Sequence, residues 1–191
     1  MAELTTQSWS VQPLFFSLEF IHALKLTALA YQAKGLFQAA KIGHSAAASV
    51  NSSIRSDETH WISQTDSLAE QRFCIIIEAL RHSLNQALYL NLTGFESHFA
   101  HYAIGNFYKK HLDRFEAQST RCVSIVVYLN DNWQEVDGGE LILYDKLGLE
   151  LAIIQPKAGT LVCFLSDAIP HEVKPALCDR WSIAGWFKTR D

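Results

Sequence analysis

The feature that most constrains the fold is a series of short β-type runs that begins near residue 95 and continues to residue 187. The runs cover residues 121–130, 140–144, 149–154, 160–165, 171–173 and 181–187. The sequences Asp-Gly-Gly at 137–139 and Pro-Lys-Ala-Gly at 156–159 mark turns between them. Many short strands at such spacing predict a sandwich or jelly roll, in which an antiparallel double sheet encloses the core.

The amino-terminal half carries two helical patterns instead. Apolar side chains recur at helical spacing in residues 14–33, and Gly35 follows as a stop signal. Ser67 with Glu70 resembles a capping box and opens a second apolar-periodic segment that ends before Gly94. We therefore expect an α+β fold in one domain of 191 residues. Residues 1–94 are mainly helical support, and residues 95–191 form the jelly-roll core, also called a double-stranded β-helix.

The segment between the two predicted helices, residues 43–57, is rich in Ala, Ser and Asn and poor in large apolar side chains. Such a segment buries little surface, and we expect it to be a mobile loop. Two interpretations stay open. The segment is either an ordinary surface loop or a lid over a functional site.

Composition and charge exclude several classes of protein. The formal net charge is −4, with 16 basic and 20 acidic residues, which disfavours a nucleic-acid partner because phosphate binding needs a concentrated basic face. The four cysteines form no CxxC pair, and three of them lie in apolar runs, as buried thiols do. Residues 1–10 lack a signal-peptide pattern, and no apolar run reaches the length of a membrane span. We expect a reduced, cytoplasmic protein with no membrane partner.

Three residues are candidate metal ligands. His111 and Asp113 are two residues apart, so their side chains share one face of an extended chain. His171 follows Pro170, which favours an extended approach on a later strand. Two imidazoles and one carboxylate are the ligand set of non-haem Fe(II) sites. The His-x-Asp pair alone is weak evidence, because this composition gives about 0.8 His-x-acid pairs, counting both Asp and Glu, by chance.

Arg180 and Ser182 strengthen the metal hypothesis. They lie in a strand-like run shortly after His171 and share one face of it. A guanidinium binds a carboxylate bidentately, and a hydroxyl can supplement it, so this pair suits an acidic cosubstrate such as 2-oxoglutarate. The alternative is that Arg180 is a surface salt-bridge partner. His98 and His101, three residues apart, fall on opposite faces of a strand and are predicted to be surface or core groups.

Several blocks resemble one known family. They cover residues 54–62, 108–113, 121–133, 138–141, 170–173 and 180–186, in consistent order. The chain resembles the prolyl-4-hydroxylase branch of the 2-oxoglutarate/Fe(II) oxygenases. Within that branch it is most similar to the prolyl hydroxylase domain enzymes that modify hypoxia-inducible factor, and to their bacterial relatives. The resemblance implies a jelly roll that uses Fe(II), 2-oxoglutarate and O2, with ascorbate as a further candidate.

The resemblance also implies roles for the residues of the metal and cosubstrate sites. The two histidines and the aspartate named above correspond to the catalytic iron ligands. Arg180 corresponds to the partner of the distal carboxylate of 2-oxoglutarate, with Ser182 beside it and Tyr128 bonding the same end. Tyr102 corresponds to a tyrosine that lines the cosubstrate pocket.

For the substrate, the resemblance implies contacts from Arg121 and Trp186. Arg55 and Asp57 belong to a matched block near the predicted lid, and we expect Asp57 to pair with Arg121 when that lid closes. The implied substrate is a prolyl residue in a protein, such as a translation factor or an oxygen-signalling factor. Two alternatives stay open: an oxygenase acting on a small molecule such as free proline, and a catalytically silent binding jelly roll. Nucleic-acid demethylation is disfavoured by the charge balance.

Overall fold

The computed structural model of the protein describes residues 2–41, 49–63, 67–114 and 120–190. Residues 43–48 of the predicted mobile loop lie outside this range. The helices are α1 (Ala2–Gln7), α2 (Leu18–Ala33) and α3 (Leu68–Leu88). The strands, numbered along the chain, are β1 (Trp9–Gln12), β2 (Gln38–Ala39), β3 (Glu58–Trp61), β4 (Gly94–Tyr102), β5 (Tyr108–His111), β6 (Arg121–Tyr128), β7 (Leu141–Tyr144), β8 (Glu150–Ile154), β9 (Leu161–Leu165), β10 (His171–Val173) and β11 (Arg180–Lys188).

The strands form two antiparallel sheets, as the jelly-roll prediction requires. The major sheet has seven strands in the order β1-β9-β6-β11-β4-β3-β2, and the minor sheet has four in the order β5-β10-β7-β8. Neighbours in each sheet are far apart in sequence, as when β11 pairs with both β4 and β6. The sequence prediction of an α+β double sheet is therefore confirmed.

Side-chain alternation in the major sheet separates two apolar layers. On β6, Val123, Ile125 and Val127 belong to the cluster that includes the buried residues of α2 and α3. Tyr128, on the opposite face, packs in the cluster between the two sheets together with Leu143 of β7. Because a strand turns alternate residues to opposite faces, one face of the sheet supports the helices and the other faces the minor sheet.

The helices begin where their caps allow. Helix α2 starts at Leu18, four residues later than predicted, because the Ser17 hydroxyl accepts a hydrogen bond from the Phe20 backbone N–H. Ser67 caps α3 as predicted, by accepting from the Glu70 N–H. The Glu70 carboxylate does not complete the predicted capping box. It accepts from the Tyr31 hydroxyl instead, at 2.7 Å.

The amino-terminal half is less purely helical than expected. Strands β1, β2 and β3 come from this half and extend the two edges of the major sheet. No described helix is both long and apolar enough to cross a membrane. The four cysteines are free thiols.

Candidate active site

The two histidines of the predicted triad are neighbours across the minor sheet. His111 ends β5 and His171 begins β10, and the two are direct partners in the register of these strands. Their Nδ1 atoms lie 2.8 and 3.1 Å from the backbone carbonyls of Lys109 and Ile169. A carbonyl only accepts, so each Nδ1 donates, which leaves each Nε2 with a free lone pair. Backbone geometry thus fixes the ring orientation that a metal ligand needs.

Asp113 lies in a bend just after β5 and completes the group. Its Oδ1 is 3.6 Å from Nε2 of His111, and its Oδ2 is 3.7 Å from Nε2 of His171. One ligand atom from each of the three residues lies within 4.8 Å of the others. The residues that the sequence singled out therefore meet at one point, with the donor set that suits Fe(II).

The surroundings of the triad favour the protonation states in which Asp113 and His171 can bind a metal. Burial would raise the pKa of Asp113, but His171, His111 and a hydrogen bond from Ser124 outweigh it and hold that pKa well below its usual value. Burial, together with the charge of His111, lowers the pKa of His171 to about 4. A carboxylate and a neutral imidazole are the forms that bind a metal at neutral pH.

Arg180, at the start of β11, is a buried cation in the same cavity. Its side chain donates from Nε to the Gly139 carbonyl at 2.8 Å and from Nη1 to the Ser182 hydroxyl at 3.3 Å. It is 1% exposed, and it forms no ion pair with any carboxylate in the part of the chain that the structure describes. The surface salt-bridge alternative is therefore wrong. A buried cation without an anion is unfavourable unless a ligand supplies one.

Two tyrosines flank the Arg180 guanidinium. Its carbon lies 4.9 Å from the ring centre of Tyr102 and 5.2 Å from that of Tyr128. The Tyr128 hydroxyl is buried and has no hydrogen-bond partner among the residues that the structure describes. Burial raises the pKa of Tyr128 to about 12, and raises the pKa of Tyr102 further above its usual value, so both hydroxyls are protonated donors. An unpaired cation and an orphan hydroxyl at one end of a cavity fit a carboxylate ligand.

Gly139 allows Arg180 to lie where it does. This glycine has a φ of +66°, a conformation that L side chains rarely adopt. A Cβ at this position would lie 3.0 Å from Cδ of Arg180 and 3.2 Å from a ring carbon of Trp133. The close approach lets the Gly139 carbonyl hold the Arg180 side chain.

Arg121 and Trp186 form the opposite end of the cavity. The Arg121 guanidinium stacks over the Trp186 ring at 3.6 Å and forms an ion pair with Glu96 at 2.9 Å. The Trp186 indole Nε1 is buried and has no hydrogen-bond partner in the described part of the chain. Trp61, which is 53% exposed, lies beside Trp186 with ring centres 6.4 Å apart. We call these four side chains, Trp61, Glu96, Arg121 and Trp186, the aromatic mouth.

Asp57 pairs with Arg55 in this structure, and its predicted pairing with Arg121 under a closed lid stays a prediction, because residues 43–48 of that lid lie outside the described part of the chain. Asp57 accepts two hydrogen bonds from Arg55, from Nε and Nη2, each at 2.7 Å. Arg55 also lies over the Tyr108 ring at 4.4 Å. The Arg55–Asp57 contact spans only two residues, and Arg121 is already neutralised by Glu96. In this structure, therefore, each arginine has its own carboxylate partner, and the Arg55–Asp57 pair is the bidentate one.

A single cavity of about 1060 Å³ connects these groups. Its lining includes the triad, Tyr102, Arg180 and Ser182 at one side and Arg55, Arg121 and Trp186 at the other. Trp61 and His98 are among the lining residues that the sequence patterns do not single out. His98 was assigned a structural role, yet it shares the cavity face of β4 with Tyr102, four residues later, as the period of a strand requires. Burial lowers the pKa of His98 to about 4, so its imidazole is neutral.

Comparison with known proteins agrees with this geometry. Residues 97–188 match the family model of the 2OG-Fe(II) oxygenase superfamily. A crystal structure of a Pseudomonas putida prolyl-4-hydroxylase is 38% identical with a TM-score of 0.91, covering 100% of this chain and 97% of that one. A Trichoplax adhaerens prolyl hydroxylase, solved with a hypoxia inducible factor oxygen degradation domain peptide, is 27% identical with a TM-score of 0.88. That alignment covers 98% of this chain and 86% of the other.

The curated relatives are longer than the region they share with this chain. The hypoxia-inducible factor prolyl hydroxylase of Caenorhabditis elegans is 39% identical over 85 residues, which is 44% of this chain and 12% of that protein. The similarity to the Pseudomonas structure extends over nearly the whole of both chains. On that evidence, the chain belongs to the 2OG-Fe(II) oxygenase superfamily and, within it, to the prolyl hydroxylase family.

Proposed function

We propose that the protein hydroxylates a prolyl residue in a protein substrate, using Fe(II), 2-oxoglutarate and O2. The observation that carries the proposal is the buried Arg180 guanidinium, which has no carboxylate partner among the described residues and shares a cavity with the His111, Asp113 and His171 triad. A metal triad alone suits many reactions. A triad with an unpaired buried cation selects for an acidic cosubstrate.

The triad would hold the iron through Nε2 of each histidine and one carboxylate oxygen. When bound, Fe(II) supplies O2 activation coupled to the oxidative decarboxylation of 2-oxoglutarate. The protein contributes fixed ligand orientation, because backbone carbonyls hold both Nδ1 atoms. It also limits water access, because the triad side chains are no more than about 10% exposed.

The cosubstrate would bind with its distal carboxylate against Arg180. The guanidinium presents a planar set of donors, and two of its N–H groups are already fixed by Gly139 and Ser182, so little conformational entropy remains to be lost. The Tyr128 hydroxyl, which lacks a partner, would donate to the same carboxylate. Tyr102, buried beside Arg180, would form the wall of this end of the cavity.

The prolyl substrate would enter through the aromatic mouth. Trp186 and Trp61 offer flat apolar surface that suits a pyrrolidine ring, and Arg121 offers donors to a peptide carbonyl. Arg55, held by Asp57, lies on the same cavity wall. The Trichoplax enzyme was solved in complex with a peptide fragment, which supports a peptide substrate. The match to the Pseudomonas prolyl-4-hydroxylase over nearly the whole of both chains supports hydroxylation of a prolyl residue. A translation factor is our candidate for the protein that carries the proline.

Two further points belong to the proposal. The chain acts as one oxygenase domain, and ascorbate serves as a reductant. The protein works in the cytoplasm, which is supported by its four free thiols, because a reducing compartment keeps cysteines unpaired.

The proposal is tested by mass spectrometry. The purified chain is incubated with Fe(II), 2-oxoglutarate, ascorbate and proteins from a cell lysate, and peptides are searched for a prolyl residue that has gained one oxygen. Succinate is measured in the same samples. Hydroxylation of free proline alone would favour the small-molecule alternative, and the absence of both succinate and product would favour a silent binding protein.

A matched pair of variants separates the two ends of the cavity. Trp186→Ala should lose prolyl product but keep 2-oxoglutarate binding, because Trp186 is at the mouth. Asp113→Ala should lose both product and metal. If Trp186→Ala hydroxylates the same peptide at the wild-type rate, the mouth is not the substrate site.

A further inference from the structure

We propose that Ser124 and Ser166 form a positioning pair that fixes the carboxylate of Asp113. The Ser124 hydroxyl lies 2.6 Å from Oδ2 of Asp113 and 2.9 Å from the Ser166 hydroxyl. Both serines are buried, at 1% and 0% exposure. The inference rests on the metal site of the proposed function and assigns that site two residues outside its ligand set.

Asp113 needs such support because no strand holds it. Strand β5 ends at His111, and Asp113 follows in a bend. His111 and His171 are fixed by the register of the minor sheet, whereas Ser124 lies on β6 of the major sheet and Ser166 directly follows β9 of the same sheet. The serine pair therefore connects the third ligand to the opposite sheet.

The backbone of the same segment is attached at the same place. The Arg114 N–H donates to the Ser166 carbonyl at 3.2 Å, and the Ser166 N–H donates to the Cys122 carbonyl at 3.0 Å. Ser166 thus holds the chain after Asp113 through its backbone, and its side chain contacts Ser124, the residue that bonds the carboxylate. An ordinary buried serine that only fills space does not combine these contacts.

The direction of the hydrogen bonds follows from counting protons. A carboxylate that serves as a metal ligand has no proton and only accepts, so the single Ser124 hydroxyl proton is donated to Asp113. Ser124 then has no proton left for Ser166, so Ser166 is the donor between the two hydroxyls. A chain of hydroxyls that all point toward one carboxylate strengthens the last bond in the series.

The consequence is a choice between the two carboxylate oxygens. The hydrogen bond from Ser124 occupies one acceptor site of Oδ2 and so favours Oδ1, which lies 3.6 Å from Nε2 of His111, as the ligand atom. Without Ser124 the carboxylate could rotate and present either oxygen. Loss of such a partner of a metal ligand lowers metal affinity by about 10–100-fold.

The experiment measures metal binding without turnover. Mn(II) is titrated into the full chain, and free Mn(II) is followed by electron paramagnetic resonance, for the wild type, Ser124→Ala, Ser166→Ala and the double variant. We expect Ser124→Ala to bind about 10–100-fold more weakly. Ser166→Ala should lose less than about tenfold, because it weakens one bond rather than removing it. The visible spectrum of bound Co(II) should also change in Ser124→Ala, since it reports ligand geometry.

The double variant distinguishes positioning from packing. If Ser166 acts through Ser124, its replacement should have no further effect on Mn(II) affinity once Ser124 is alanine. Ser10→Ala, a buried serine on β1 of the same sheet, is the matched control and should bind Mn(II) as the wild type does. Unchanged affinity in Ser124→Ala, or additive losses in the double variant, would overturn the pair. A wild-type chain that binds no Mn(II) would instead refute the metal site itself.

Discussion

Replacement of Arg180 by methionine tests the cosubstrate site most directly. Methionine keeps an unbranched apolar stem of similar length but removes the charge and all the donors. The variant should lose at least two charge-assisted hydrogen bonds between Arg180 and the 2-oxoglutarate carboxylate, each worth about 1.5–3 kcal/mol. The dissociation constant for 2-oxoglutarate should therefore rise by about 100-fold or more, since 1.4 kcal/mol is a factor of ten.

The assay is thermal unfolding with Mn(II) and 2-oxoglutarate, which involves no turnover. At a ligand concentration of about 100 times the wild-type dissociation constant, binding stabilises the folded state by about 2.7 kcal/mol. That corresponds to about 5–10 °C for a chain of this size. In Arg180→Met the same concentration should stabilise by only about 0.4 kcal/mol, or roughly 1–2 °C.

The control is Arg121→Met. Arg121 lines the same cavity but lies at the aromatic mouth, so its loss should leave the ligand-induced shift unchanged. The melting temperature without ligand does not test the assignment, because the substitution changes the stability of the free protein in two opposite ways. Removal of an unpaired buried cation stabilises the fold, whereas loss of the hydrogen bond to the Gly139 carbonyl destabilises it. A full 2-oxoglutarate shift in Arg180→Met would refute the assignment of Arg180 to the cosubstrate.

Three further predictions follow from the same geometry. His111→Ala should abolish Mn(II) binding and 2-oxoglutarate turnover, checked by titration and by succinate release, and full activity would remove the metal assignment. Gly139→Ala should weaken 2-oxoglutarate binding several-fold and destabilise the fold by about 1–3 kcal/mol, because the new Cβ meets Arg180 at a positive φ; calorimetric titration with unchanged affinity would contradict this. Asp57→Ala should lower the free energy of unfolding in urea by about 3 kcal/mol, since Arg55 is left buried and unpaired. A loss below about 0.5 kcal/mol would show that the pair is solvated.

Sequence patterns predicted the parts of the molecule that local rules control. Ser67 begins α3 because a hydroxyl can satisfy the first free N–H groups of a helix, which is a property of adjacent residues. The proximity of His111 and Asp113 was predictable from their two-residue spacing, although Asp113 lies in a bend after β5 and not in the strand itself. Arg180 and Ser182 share the cavity face of β11 for the same reason.

The remaining features depend on partners that are distant in sequence. Strand β3 has only four residues. It is extended because it pairs with β4, and not because its own composition favours a strand. The partner of Asp57 could not be predicted because two arginines were eligible, and the choice depends on Glu96 having already engaged Arg121. His98 lines the cavity because it lies on the same face of β4 as Tyr102, four residues later, whereas His101 lies on the other face.

Strand β11 explains why the candidate metal ligands and the proposed cosubstrate and substrate sites share one cavity. Its cavity face carries Arg180, Ser182, Ala184 and Trp186 in that order, at the two-residue period of a strand. Arg180 and Trp186 are six residues apart, or about 20 Å along an antiparallel strand, so the proposed cosubstrate anchor and the aromatic mouth stand at opposite ends of one rigid element. Ala184 is the smallest side chain of the four, and it leaves open the stretch of wall between Ser182 and Trp186. The triad faces this wall from β5, β10 and the bend at Asp113, so the fold sets the distance between the two ends of the site before any ligand binds.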